Sequence, residues 1–359
     1  MVQPMPDAMP DAPPSLLACG QPAHAALPAA DALVAFATAR GVAIVTSTAG
    51  AISGWTFDVS TDGTLATGVP DVALGTSDTN QVAAATSGGA ILVSASEGSP
   101  PTGTMLAPFD LAFAPSGGPS HRTDEFAVSG PLAPSGAGFA YVTQDATTHE
   151  VDARRVDTSG ADASSPVAIV LGGDKASEPA IIATPHGHAL SYVAAASSPN
   201  EARLELLDAS FNVVAGPVVA SNSGFDPEHA KVSHATASDT YLVTWMEKNA
   251  TTDTVWIALF AGDLSVIQAG TQIATNSYAP TVATDGTGFW VVWQNGGAIP
   301  AFLDGAHVSP AGAITPRQVQ MTGGSAAQWT MVERFGQPML VWLETGGSGP
   351  DLSVDPMCP

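Results

Sequence analysis

The chain has 359 residues, 45% of them hydrophobic and only 12% charged, enough apolar surface for a large buried core. Asp and Glu outnumber Lys and Arg by 33 to 10, and the resulting charge of −23 argues against nucleic acid or an anionic membrane as partner. No apolar run approaches the roughly 18 residues of a membrane span, and the N-terminus shows no basic segment followed by an apolar stretch, so no signal peptide is expected within it.

The chain opens with Met5-Pro6-Asp7-Ala8, repeated at once as Met9-Pro10-Asp11-Ala12 and followed by Pro13-Pro14. Proline at this density removes amide donors and favours an extended coil, so residues 1–14 read as a flexible Pro/Ala/Asp-rich tether and residues 15–359 as one domain. The tether resembles the segment that follows the lipid-bearing cysteine of bacterial lipoproteins. That resemblance implies export, with a signal segment and a lipid anchor upstream of Met1.

Short apolar runs then recur: Val42–Thr46, Ala90–Ser94, Phe139–Thr143, Leu190–Ala194, Tyr241–Trp245, Phe289–Trp293 and Pro338–Trp342. Their ends lie 48, 49, 51, 51, 48 and 49 residues apart. Seven units at a near-constant period signal a radial repeat. The sixth unit is the most regular. Pro280–Ala283 reads as a first strand, Asp285-Gly286-Thr287-Gly288 as a turn, and Phe289–Trp293 as a second strand. A third lies within Ala301–Ser309, and Pro310-Ala311-Gly312 turns into a fourth around Arg317–Met321. Glycine supplies the positive φ that such turns need. Four strands in about 50 residues is one propeller blade. The expected fold is therefore all-β, a seven-bladed β-propeller of four-stranded antiparallel blades.

The sixth unit, Pro-Thr-Val-Ala-x-Asp-Gly-x-Gly-Phe-Trp-Val-Val-Trp, resembles the repeat of secreted β-propeller lipoproteins of Gram-negative bacteria. The likeness is clear in units five to seven; in units one to four Thr46, Ser94, Thr143 and Ala194 stand where the later units have Trp. It implies the propeller fold and an extracellular or cell-envelope location, and it brings no catalytic residues. Trp245, Trp293 and Trp342 close second strands and are expected to fill wedges between blades.

Closure needs a separate argument, because an open sheet edge is a liability. Unit seven has a first strand at Ala327–Glu333, a second at Pro338–Glu344 and a third through Leu352–Met357, and then the chain ends. The apolar run Ser15–Cys19 is expected to supply the missing outer strand, so that an N-terminal strand closes the last blade. The two cysteines, Cys19 in that run and Cys358 beside the third strand, read as a disulfide.

One propeller face carries the loops that lead into first strands and those joining second to third strands. It is expected to hold His24, His121, His149, Asp78 and Glu150, with Asp124, Glu125, Glu178, Asp226, Glu228 and His229 gathered at the channel mouth. Such carboxylates and imidazoles could hold a divalent cation. His186 and His188, on the opposite face, read as turn residues. The sequence lacks Asp-x-Asp-x-Asp-Gly, His-Glu-x-x-His and Gly-x-Ser-x-Gly patterns, and no Gly-rich strand-to-helix segment cradles a phosphate. The expected function is a non-catalytic binding or scaffold module, monomeric, exported and envelope-tethered, presenting a rigid face to a glycan or protein ligand. The alternative is a secreted hydrolase or lyase acting on a glycan or small ester at an acidic channel mouth.

Overall fold

A computed structural model describes residues 23–28, 30–38, 41–59, 65–76, 82–97, 103–122, 132–145, 148–170, 173, 176–195, 199–221, 224–248, 252–296, 302–319, 325–334, 336–345 and 351–357. The tether, the Ser15–Cys19 run, Asp78, Asp124, Glu125 and both cysteines lie outside these. The described residues form seven four-stranded antiparallel sheets, arranged as the blades of a propeller. None of them belongs to a helix long and apolar enough to cross a membrane.

The first strand, β1 (Ala23–Ala26), stands apart from the blade that follows it. Blade one is β2 (Ala32–Ala37), β3 (Gly41–Thr48), β4 (Ala51–Val59) and β5 (Leu65–Thr76). Blade two is β6 (Val82–Ser87), β7 (Ala90–Glu97), β8 (Gly103–Asp110) and β9 (Ser120–Arg122). Blade three is β10 (Leu132–Ser135), β11 (Gly138–Gln144), β12 (Val151–Val156) and β13 (Val167–Val170). Blade four is β14 (Ala176–Thr184), β15 (Gly187–Ala194), β16 (Glu201–Leu207) and β17 (Val213–Val219). Blade five is β18 (Asp226–Ala235), β19 (Thr240–Lys248), β20 (Asp253–Ala261) and β21 (Val266–Thr275). Blade six is β22 (Ser277–Thr284), β23 (Phe289–Asn295), β24 (Phe302–Val308) and β25 (Ile314–Gln318). Blade seven has β26 (Ser325–Arg334), β27 (Gln337–Thr345) and β28 (Asp351–Pro356), and its outer strand is β1, paired antiparallel to β28 with Ala23 opposite Val354 and Ala26 opposite Asp351. The last blade therefore draws on both ends of the chain, with Ala23–Ala26 as the described outer strand in place of the expected Ser15–Cys19 run.

The recurring apolar runs are the second strands, and the structure explains why they do not alternate with polar residues. Val42, Ala43, Ile44 and Val45 are all 0% exposed, because a second strand is covered on both sides by neighbouring blades. The buried side chains divide into seven clusters, each shared by two adjacent blades, and the seventh joins Leu343 and Val354 of blade seven to Leu33 and Ile44 of blade one. Trp245, Trp293 and Trp342 lie in the clusters between blades four and five, five and six, and six and seven. Two of the rings also satisfy buried carboxylates: Trp245 Nε1 donates to Glu247 Oε1 at 2.9 Å, and Trp342 Nε1 to Glu344 Oε1 at 3.0 Å.

Polar latches repeat with the blades. Gln144 Nε2 donates to the Ala176 carbonyl at 2.6 Å, and Gln294 Nε2 to the Ala326 carbonyl at 3.3 Å, each from a second strand to the next inner strand. Turns between third and fourth strands are capped by carboxylates at Asp110, Asp157 and Asp208, each accepting two downstream amides. In blade two this places the turn at Asp110–Ala114, upstream of the Ser116–Gly118 segment that its glycines suggested. The Asp285–Gly288 turn of blade six is as expected: Asp285 Oδ1 accepts the Thr287 and Gly288 amides while Gly286 takes φ 86°. His186 is exposed at its turn, but His188 is buried against the Phe211 ring, at 5.1 Å between centroids.

Trp245→Ala is expected to cost about 3–5 kcal/mol, the usual loss for a buried ring. Trp245→Phe should cost about 1–3 kcal/mol, because Glu247, itself buried, loses its indole donor. Urea unfolding measures both, and a loss under about 1 kcal/mol for the alanine variant would contradict the wedge role. The two cysteines lie outside the described residues, and the pairing expected from the sequence is open to direct test. A Cys19–Cys358 disulfide is expected, closing a loop of about 340 residues and stabilising the ring by up to about 4–5 kcal/mol. Thiol titration of the denatured, unreduced protein should find no free sulfur; two titrating thiols would contradict it.

Candidate functional site

Inner strands of four consecutive blades share one irregularity near their starts. In β14 the ladder steps from Ser177 opposite Val193 to Ala180 opposite Ser191, which leaves one extra residue on the inner strand. The same step occurs in β18 between Glu228 and Lys231, in β22 between Tyr278 and Thr281, and in β26 between Ala326 and Gln328. The residues at three of these bulges are left-handed although none is glycine: Glu178 at φ 52°, His229 at φ 57° and Ala279 at φ 45°. Each costs about 1–2 kcal/mol relative to an ordinary conformation, so the surrounding structure must hold it.

Neighbouring blades do the holding. A bulge leaves a backbone group without its ladder partner. Glu178 Oε2 accepts the freed His229 amide across the blade four–five boundary and lies 3.5 Å from His229 Nδ1. Across the six–seven boundary, Trp329 Nε1 donates to the Ala279 carbonyl at 3.2 Å. The bulged backbone is thus tied to the adjacent blades at two boundaries.

Between them lies a cavity of about 220 Å³ lined by His229 and Lys231 of β18, Pro280 and Thr281 of β22, Gln328, Trp329 and Thr330 of β26, and Leu33 of β2. These strands belong to four blades adjacent around the ring, and most of the lining residues lie at or just before the middle of each inner strand. The cavity therefore opens on the channel, and we take it as the channel-mouth site. It is smaller than the roughly 300–1,000 Å³ pockets that enclose drug-sized ligands and suits one ring-sized unit of a larger molecule. Solvent reaches Lys231 along the channel, but the crowding inner strands desolvate it and push its pKa below the ordinary lysine value, an effect that the charge of Glu178 partly offsets.

Of the residues expected at the mouth, Glu178 and His229 are in contact. Asp226, the first residue of β18, is exposed, and its Oδ1 accepts the Asn200 amide at 2.9 Å. Glu228 is half-buried, opposite Met246. His24 Nδ1 is 2.7 Å from Ser353 Oγ, on the outer strand of blade seven. His121 Nδ1 is 2.8 Å from Glu97 Oε1, on the outer strand of blade two. His149 Nδ1 is 3.3 Å from Gln144 Nε2. Among the described residues no three His, Asp or Glu side chains are grouped so as to hold a metal ion.

Lys231 and Gln328 escaped the sequence reading, whereas Trp329 is one of four tryptophans outside the strand-end pattern, with Trp55, Trp256 and Trp290, on any of which a sugar could stack. Lys231 follows His229 by two residues, so ordinary strand alternation puts both on one side; that was the available signal. A larger cavity, about 530 Å³, lies on the opposite face beside the Ser135–Gly138 turn. It is walled mostly by turn residues, and its Arg155 is engaged with the Ala209 carbonyl and the Phe211 ring.

No protein-family model matches the sequence, and none of the curated proteins matches it. Solved structures do resemble the fold. The polysaccharide lyase Uly1 superposes with a TM-score of 0.55 at 10% identity, over 98% of this chain and 94% of its own. The WD40 domain of coronin from Toxoplasma gondii gives 0.56 at 10% identity, over 92% and 81%. At this identity the likeness concerns the propeller fold alone.

Ala279→Gly tests whether the bulges are held under strain. Glycine takes positive φ without a Cβ penalty, so the variant is expected to be as stable as the parent or up to about 1 kcal/mol more stable. A loss above about 1 kcal/mol in urea unfolding would show that this conformation carries no strain.

Proposed function

We propose that the protein is an exported binding module that holds one sugar unit of a glycan in its channel mouth. The observation behind this is the makeup of the bulge-built cavity. Trp329, half-buried against the blade six–seven cluster, gives the lining an aromatic side chain, while Thr281, Gln328 and Thr330 supply hydroxyl and amide groups that can both donate and accept hydrogen bonds. An apolar face beside such groups suits a pyranose ring. One structurally similar protein is a polysaccharide lyase, so the propeller fold is compatible with carbohydrate ligands. The tether and the lipoprotein-like repeat support the exported, envelope-attached part of this reading.

The second reading, glycan hydrolysis or elimination, draws on the Glu178–His229 contact and the desolvated Lys231, which bring titratable groups together. Binding is favoured over hydrolysis because glycoside hydrolysis ordinarily takes two carboxyl groups flanking the scissile bond, and the described lining of the cavity includes none.

A glycan array probed with the parent protein and with Trp329→Ala, with and without chelator, tests the proposal. Oligosaccharide binding should appear, survive chelation and weaken at least tenfold in Trp329→Ala, with Trp329→Phe retaining most of it. Absence of any bound glycan, or binding indifferent to position 329, would contradict it. Release of new reducing or unsaturated ends from a bound glycan would favour the enzymatic reading.

A further inference from the structure

The charge of the channel cavity runs against the charge of the molecule. The chain carries −23, yet the only ionisable side chains among the described lining residues are Lys231 and His229, and both are basic. Glu178 is not among the lining residues; one of its oxygens is committed to the His229 amide, and its charge acts on Lys231 from outside the lining. Lys231 stands on β18 two residues beyond the bulge, across the cavity from strands whose lining residues are neutral: Pro280 and Thr281 on β22, and Gln328, Trp329 and Thr330 on β26. A cation placed beside an aromatic face and a set of neutral hydrogen-bonding groups has a chemical complement: a sugar ring that carries a carboxylate.

We infer that the ligand of the channel mouth is an acidic glycan whose uronic-acid carboxylate is held by Lys231 while the ring lies against Trp329. This rests on the glycan-binding reading above and narrows it. The distribution of charge allows it despite the net −23. Exposed carboxylates farther from the cavity than the Debye length, about 8 Å at physiological ionic strength, are largely screened. Lys231 lines the cavity itself, well within that distance of anything bound there, so its attraction for a bound anion is retained. An incoming carboxylate would also restore favourable interactions to an ammonium that has lost part of its hydration.

The test compares three probes by titration calorimetry: trisaccharides of glucuronate and galacturonate as free acids, the same trisaccharides as methyl esters, and the neutral glucose and galactose trisaccharides. The esters keep the ring and its hydroxyls and remove the charge. The parent protein should bind at least one acid roughly tenfold or more tighter than its ester, about the worth of one charge-assisted hydrogen bond. Lys231→Met, which keeps the length of the apolar stem, should level acid and ester, while Lys231→Arg should preserve a preference for the acid. Equal binding of acid and ester by the parent, or a preference that survives in Lys231→Met, overturns the inference. Binding of neutral trisaccharides alone overturns it but leaves the glycan-binding reading standing. No binding by any of the three probes overturns both.

Discussion

Each blade buries its apolar surface only against its two neighbours, and the rest of the structure depends on that constraint. There is no single core. Seven clusters lie between seven pairs of blades, so a ring left open would expose two apolar sheet faces. Closure is achieved by composing the last blade from both chain ends, with β1 as its outer strand beside β28, and by packing Leu33 and Ile44 of blade one into the cluster of Leu343 and Val354. Some contacts between blades recur at the blade period: Ser87 Oγ to the Gly136 carbonyl joins blades two and three, and Ser238 Oγ to the Thr287 carbonyl joins blades five and six, each over 49 residues.

A closed ring also explains how strained residues persist around the channel. Glu178, His229 and Ala279 occupy left-handed conformations on inner strands whose outer neighbours are fixed by wedge packing. Their freed backbone and side-chain groups are tied to adjacent blades, Glu178 to His229 and Ala279 to Trp329. The same joints that hold the ring together thus place Lys231, His229 and Trp329 around one cavity. Fold and site share a cause: the inner strands gain a residue, and the ring keeps them from straightening.

The repeat was legible because second strands are covered on both faces, and a run such as Val42-Ala43-Ile44-Val45 has no polar interruption. The wedge positions of Trp245, Trp293 and Trp342 followed from the same logic. The site was legible only in part. Glu178 and His229 stood out as polar residues near the openings of first strands, and they do meet. The bulges that make them meet were invisible, since one additional residue in a strand leaves no compositional trace and sits next to residues as different as Pro179, Ala230 and Pro280. Lys231 was hidden by the acidic character of the chain, which directed attention to carboxylates. Trp329 could not be told apart in the sequence from Trp55, Trp256 and Trp290, which also lie outside the strand-end pattern of Trp245, Trp293 and Trp342. His188 looked like part of a turn, yet lies one residue inside β15, where the neighbouring Phe211 covers it.

The most direct measurement is a crystal structure of the protein grown with a uronic-acid trisaccharide. The account predicts one sugar ring in the channel mouth, lying against the Trp329 indole with its carboxylate within hydrogen-bond distance of Lys231 Nζ. A trisaccharide bound instead in the opposite-face cavity beside Arg155, or along the outer strands with the channel mouth empty, would contradict it.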